Sequence, residues 1–267
     1  MRILLVSDLH YALKQYDWTA AAAPAFDLVV IAGDHLDISS SLDGNVQVVV
    51  ILKYLQRLAR TTRLVVSSGN HDLDRRDAAG ERIPAWIERV RRLGVPTDGD
   101  TLELDAARVT ICPWWDGPAA RGRIADQLAR DAAASRRPWI WVYHAPPADS
   151  PTSWDGRRSW GDADLSAWIE LYRPDIVLCG HIHQAPFKRE GSWVDRIGDT
   201  WVFNAGQQIG PEPAHVILDT AQPAAAWFSL AGAEIVRLDA PLSRPVESLA
   251  GLPAWAPAIP GPGPSPA

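Results

Sequence analysis

Cysteine is scarce in this chain, and what little there is forms no metal-site pattern. Only two of the 267 residues are cysteine. Cys112 and Cys179 lie far apart, each inside an apolar run, and read as buried reduced thiols rather than thiolate ligands. An excess of positive charge is missing too. Twenty-six Lys and Arg against 32 Asp and Glu give a formal net charge of −6, so there is no broad electrostatic footprint for nucleic acid. This argues against an extended polymer substrate, although bound metal would reverse the field locally. No apolar run approaches the ~20 residues of a membrane span. The opening MRILLVSD lacks the apolar core of a secretory signal, and cleavage beyond it would remove the first polar motif. The expectation is a cytoplasmic protein. No internal repeat is visible, and 47% hydrophobic with 22% charged residues is an ordinary globular balance.

What is present is a repeated event: a buried strand that stops and delivers polar side chains. Leu64, Val65 and Val66 form an uncharged run that breaks at Gly69 and is followed at once by Asn70, His71 and Asp72. Arg2 to Ser7 runs into Asp8-Leu9-His10, and Asp27 to Ile31 into Gly33-Asp34-His35-Leu36-Asp37. Trp139 to Tyr143 ends at His144, and Asp175 to Cys179 at Gly180-His181-Ile182-His183. Open α/β sheets build sites in this way, at the carboxyl ends of their strands.

Helical spacing separates these strands. Val46, Val49, Val50, Leu52, Leu55 and Leu58 predict a helix over Asn45 to Arg60 buried on one broad face. Further helices are expected at about Pro84–Leu93, Gly117–Ala134 and Ala163–Tyr172, and a hairpin about Asp105-Ala106-Ala107. The later part of the chain changes to a period of two. Ser192–Ile197 and Thr200–Asn204 flank Gly198-Asp199, a two-residue hairpin signal, and three more strands follow up to Leu238. Residues 1–240 read as one domain and 241–267 as a proline-rich disordered tail.

A single His or Asp at a strand end is usually a cap or a satisfied polar group. Five such ends are another matter. The chain has seven histidines, and His10, His71, His144, His181 and His183 all fall at these breaks. In D-x-H and H-x-H the two side chains point the same way on an extended segment and can share one ion.

Asp8-Leu9-His10, Gly33-Asp34, Gly69-Asn70-His71-Asp72, His144 and Gly180-His181-Ile182-His183 resemble the ordered motifs of the calcineurin-like metallophosphoesterases, over residues 3 to about 206. The resemblance implies an α/β fold: a four-layer α/β/β/α sandwich of two mixed β-sheets flanked by helices. It implies two divalent transition-metal ions, Mn²⁺ first, with Fe, Zn or Co as options. Asp8, His10 and His183 would hold one ion and Asn70, His144 and His181 the other, with Asp34 bridging. The implied reaction is hydrolysis of a small phosphoester, diesters above all, by in-line attack of a hydroxide shared between the ions. His71 would stabilise the phosphate or protonate the leaving oxygen, with Asp72 orienting its ring. Asp37 reads as supporting the site, His215 as structural, and Asn204-Ala205-Gly206 as a conformational turn.

Two other readings stand beside this one. The family's retromer subunit uses the fold as a non-catalytic scaffold, but it lacks the histidine that stands here as His71. A DNA-processing nuclease branch usually needs a larger cap and a basic groove. Tyr143-His144-Ala145-Pro146-Pro147 is instead similar to the cyclic-nucleotide and general phosphodiesterase branch. The long loop Ala145–Gly161 carries Trp154, Trp160, Arg157 and Arg158, and Trp114-Trp115 follow the strand ending at Pro113. Trp115, Arg157 and Arg158 are expected to rim the cleft, where an indole stacks on a planar group and a guanidinium holds a phosphate oxygen.

Overall fold

The uncharged runs become the central strands of two sheets. The computed structural model of the protein describes residues 1–105, 107–134 and 138–259. In chain order the strands are β1 (Arg2–Val6), β2 (Leu28–Ala32), β3 (Arg63–Ser67), β4 (Arg75–Arg76), β5 (Arg82–Ile83), β6 (Thr101–Glu103), β7 (Arg108–Ile111) and β8 (Trp139–Val142). They continue as β9 (Ile176–Cys179), β10 (Val194–Ile197), β11 (Thr200–Asn204), β12 (His215–Asp219), β13 (Ala224–Ser229), β14 (Gly232–Arg237) and β15 (Glu247–Ser248). The helices are α1 (Leu13–Ala22), α2 (Gly44–Ala59), α3 (Ile87–Arg91), α4 (Pro118–Ala132) and α5 (Ala163–Tyr172).

One sheet runs β15-β14-β13-β12-β1-β2-β3, the other β10-β11-β9-β8-β7-β6, and β4 and β5 form a small hairpin. β1, β2 and β3 are parallel neighbours, as are β7, β8 and β9. The remaining neighbours pair antiparallel, apart from the parallel β11–β9 pair, so both sheets are mixed.

Alternation along each strand divides the core into three layers. Leu5, Val30 and Val65 meet Ile111, Val142, Leu178 and Phe203 between the sheets. Leu4, Val29 and Val66 point the other way, onto Ile51, Leu55 and Leu58 of α2. Trp141 and Val177 of the second sheet pack on Ile124 and Leu128 of α4 and Leu165 and Ile169 of α5. The result is the α/β/β/α sandwich. Each fully buried Leu, Ile or Val contributes ~1.5–3 kcal/mol. No helix among the described residues is long and apolar enough to cross a membrane.

The structure departs from the sequence reading in three places. In α2 the buried stripe is Val48, Ile51, Leu55 and Leu58, while Val46 and Val49 are 47% and 45% exposed. The apolar spacing there covers more than one face, so periodicity alone does not choose between them. Helix α1 is not expected from the sequence at all. It is rich in alanine and aromatics, and no side chain caps its start, so the usual start signal is missing. The third departure corrects the structureless tail from 241. β15 pairs with β14, Leu242 and Val246 pack on the inter-sheet core, and Trp255 and Ala256 pack on the α2 side. These apolar residues insert singly, without a run to announce them. Residues 260–267 and the hairpin tip at Ala106 lie outside the described residues.

Candidate metal centre

The carboxyl ends of β1, β2, β3, β8 and β9 converge, and the backbone bends sharply to let them meet. Asp8, His10, Asp34 and His181 all have left-handed φ, at 54°, 40°, 54° and 68°. Such values are uncommon outside glycine and cluster where surrounding structure enforces them. Here the enforcing contacts join the strand ends. Asp8 N–H donates to Gly33 O at 3.1 Å, Gly180 N–H to His144 O at 2.9 Å, and His181 N–H to the Asp8 carboxylate at 3.0 Å. The motif glycines are needed for space. A Cβ at Gly69 would stand 2.2 Å from Asp34 Oδ1, and one at Gly180 would stand 2.4 Å from Asp8 Oδ2.

Two overlapping donor groups result. Asp8, His10, Asp34 and His183 form one and Asp34, His144 and His181 the other, with the donor atoms of each within 4.8 Å of one another. His10 Nδ1 faces Leu36 O at 3.2 Å and His144 Nδ1 faces Ala32 O at 2.7 Å. A carbonyl can only accept, so both nitrogens carry the proton and both Nε2 lone pairs turn inward. His10 Nε2 lies 3.0 Å from His183 Nε2, which in turn lies 3.3 Å from Asp8 Oδ1. His144 Nε2 lies 3.3 Å from Asp34 Oδ2. Asn70 is expected among the ligands, and its Oδ1 is buried with no hydrogen-bond partner among the described residues.

Burial opposes charge on both carboxylates, but the imidazoles prevail. Asp8 is held well below its ordinary value by His183, His144 and His10 despite that burial. Asp34, also opposed by burial, falls to about 2 because of His144. Burial would lower His144, yet Asp34 and Asp8 lift it to about 9. Burial and the nearby His144 push His181 down to about 4, and burial chiefly lowers His10. The carboxylates are therefore anionic and His10 and His181 neutral at neutral pH, the forms that bind cations. The His144–Asp34 pair gives up its shared proton when a cation takes the same lone pairs.

These residues fit a pair of divalent cations. The facing imidazole nitrogens of His10 and His183, 3.0 Å apart, would be satisfied by one cation, and the buried Asn70 Oδ1 by a second. Asp34 alone belongs to both groups. Imidazole, carboxylate and amide oxygen suit borderline transition metals.

The other expected residues divide. His71 stands at the edge of the cluster, its ring 4.5 Å from that of His10, its Nε2 4.0 Å from Asp34 Oδ2, and its side chain 24% exposed. Its N–H donates to Asp34 Oδ1 at 2.8 Å. Asp72 does not orient the His71 ring, whose Nδ1 has no hydrogen-bond partner among the described residues. The Asp72 carboxylate accepts instead from the N–H groups of Gly69, His35 and Leu36, at 2.8, 3.1 and 3.1 Å. A turn this tight aims the Asp72 side chain back at the backbone rather than sideways. Asp37 likewise caps its own loop, accepting from Ser39. His215 is buried, with its ring stacked on Phe228.

The Trp115 indole N–H is taken up by Tyr143 and Asp162, to which it donates. The contacts described for Arg157 and Arg158 stay within their loop. Both backbone N–H groups donate to Asp155, and the Arg158 guanidinium lies 3.3 Å over Trp160. No contact between the expected rim of Trp115, Arg157 and Arg158 and the candidate metal-binding side chains is found among the described residues. Trp114 does make such contacts, 5.1 Å from the His181 ring and 5.6 Å from that of His144. In a Trp-Trp pair the sequence carries no signal for which indole turns inward. His35, which from the sequence could face the site or simply pack, packs: it is buried, accepting from Tyr16 OH at Nδ1 and donating to Ser67 O from Nε2. Burial holds it neutral, at about 4.

A crystal structure of TT1561 of Thermus thermophilus is similar in fold, with a TM-score of 0.56 at 14% identity over 89% of this chain and 98% of that one. Yfce, a phosphoesterase from E. coli, aligns over 86% of this chain and 93% of its own with 14% identity and a TM-score of 0.41, which adds no weight. No curated protein matches the sequence significantly. Residues 1–185, which include every strand end of the cluster, match the calcineurin-like phosphoesterase family along their whole length. On that match and the sandwich that carries it, the chain belongs to the calcineurin-like phosphoesterase family, which implies metal-dependent phosphoester hydrolysis.

Proposed function

We propose that the protein hydrolyses small phosphodiesters at a two-ion centre, manganese being the first candidate metal. Asp8, His10 and His183 hold one ion, Asn70, His144 and His181 the other, and the Asp34 carboxylate is shared. The observation that carries this reading is the set of donors on four strand ends, with Asp34 common to both groups, and the buried, unpaired Asn70 Oδ1 on a fifth. When bound, such a pair polarises the phosphoryl group and provides a nucleophile at neutral pH.

The chain's own residues supply the rest. Ala32 and Leu36 carbonyls fix the His144 and His10 tautomers. Asp34 is held from behind by the His71 N–H. The partly exposed His71 ring is the group able to reach a substrate oxygen, and it donates the leaving-group proton. The absence of a basic surplus supports a small substrate over a nucleic-acid polymer.

The test is a substrate panel with Mn²⁺-loaded protein: an aryl phosphodiester, an aryl phosphomonoester, cyclic nucleotides and single-stranded DNA. A diester should be the best substrate, wild type should hold two ions, and Asp34→Ala should lose both ions along with turnover. Preference for single-stranded DNA, or wild type holding at most one ion, would overturn the reading.

A further inference from the structure

Trp114 follows β7 by three residues and is half-buried. Its backbone N–H donates to Ser68 Oγ at 2.9 Å. Ser68 is fully buried, and its own N–H is held by Asp98 Oδ1 at 2.8 Å. Asn70 stands two residues further on. The Trp114 indole packs on His181, with centroids 5.1 Å apart and planes tilted 47°, and on His144 at 5.6 Å and 71°. One residue thus touches two of the three side chains proposed for one ion and holds Ser68, two residues before the third. The ring of His10 packs instead on His183 at 4.9 Å and on His71 at 4.5 Å.

The two histidines beside Trp114 differ in what else holds them. His144 has the Ala32 carbonyl behind it. His181 is fixed by its backbone N–H on Asp8, and among the described residues its ring makes no hydrogen bond. Its backbone is also in the left-handed region, at φ 68°. A metal-binding imidazole is ordinarily oriented by a hydrogen bond from its second nitrogen. For His181 what remains is ring packing, against Trp114 and against His144 at 5.2 Å, two rings that also touch each other.

Resting on the two-ion reading above, we infer that Trp114 is a positioning residue for one ion alone. Its indole does for His181 what the Ala32 carbonyl does for His144, and its N–H fixes the approach to Asn70 through Ser68. The centre is therefore asymmetric. Loss of the indole loosens the Asn70–His144–His181 side and leaves Asp8, His10 and His183 in place.

Calorimetric titration of metal-stripped protein with Mn²⁺ reads the two ions separately. Trp114→Ala should bind one ion with wild-type affinity and the other about 10–100-fold more weakly, the usual loss when an outer support of a ligand is removed. Trp114→Phe keeps a ring against His181 and should recover most of the loss. Trp114→Leu fills space without a ring, should behave like the Ala variant, and serves in its place if that variant does not fold. Electron spin resonance at saturating wild-type Mn²⁺ gives a second readout: a coupled pair in wild type and Trp114→Phe, an isolated ion in Trp114→Ala or Trp114→Leu. Equal weakening of both ions, or no change in either, overturns the inference. Wild-type protein that takes fewer than two ions overturns the two-ion reading itself, and this inference with it.

Discussion

The turn after β3 and the loop after His144 both begin where a buried strand ends, and both carry polar side chains, yet they satisfy them in opposite ways. In the turn, the partners lie largely on other strand ends: Asp72 holds the N–H groups of His35 and Leu36, and His71 N–H holds Asp34. In the loop the partners lie mostly within the loop. Asp155 accepts from Arg157, Arg158 and Trp160, and Ser153 bonds Ser150. A segment whose polar groups must be met from elsewhere fixes the relative position of the elements that meet them. One that meets its own needs can change without moving the site. The turn should therefore tolerate nothing, and the loop a good deal.

The sharpest contrast lies inside the turn, between neighbours. His71→Ala should keep both ions and lose on the order of 10²–10⁴-fold in turnover, the scale of a general acid. The loss should shrink for nitrophenolate leaving groups, which need no proton. Equal loss across leaving groups would assign His71 to charge stabilisation on the phosphoryl oxygens instead. Thermal stability should hardly change, because the ring is partly exposed and its Nδ1 has no hydrogen bond to lose among the described residues.

Asp72→Ala should do the reverse, acting first on stability. It strands three N–H groups around a fully buried side chain, and a buried donor without an acceptor costs ~1–3 kcal/mol. Relaxation will recover part of that, leaving a loss of roughly 4 kcal/mol. For a chain of this size that corresponds to a fall of about 10 °C in melting temperature. Calorimetry of the apo protein checks this without reference to activity. A fall of under about 2 °C would mean that Asp72 is no lock between the strand ends.

The same contrast explains what is legible in the sequence. β1, β2, β3, β8 and β9 can be read there because runs such as Leu64-Val65-Val66 are buried on both faces and end in Gly or a polar residue. The donors at their ends can be read because Asp8, His10, Asp34, His144, His181 and His183 all follow those breaks within a few residues. Asp72 is where sequence misleads. Adjacency suggests a partnership with His71, whereas the 3₁₀ turn over Asn70–Asp72 sends neighbouring side chains in different directions. Trp115 misleads for a related reason. Composition marks an indole as able to stack, but only the third dimension shows that Tyr143 and Asp162 already hold its N–H.

The smallest effects belong to the loop, and they oppose what its composition suggests. An arginine pair between tryptophans looks like a phosphate clamp, and such a clamp would raise KM when removed. The contacts point elsewhere. Asp155 gathers the backbone of Arg157 and Arg158, and Arg158 lies flat on Trp160, which donates to the same Asp155. Arg157 contributes a backbone N–H to this knot, and alanine keeps that N–H, so Arg157→Ala should leave KM for every diester within about twofold, under about 0.5 kcal/mol. Trp115→Phe should cost about 1 kcal/mol of stability, the worth of an ordinary hydrogen bond, from the lost donor to Tyr143 and Asp162. Its KM should also stay unchanged. Steady-state kinetics and melting curves on the two variants decide the matter. A rise in KM of about fivefold or more in Arg157→Ala, with metal content intact, would restore the loop to the cleft and erase the difference between the two regions.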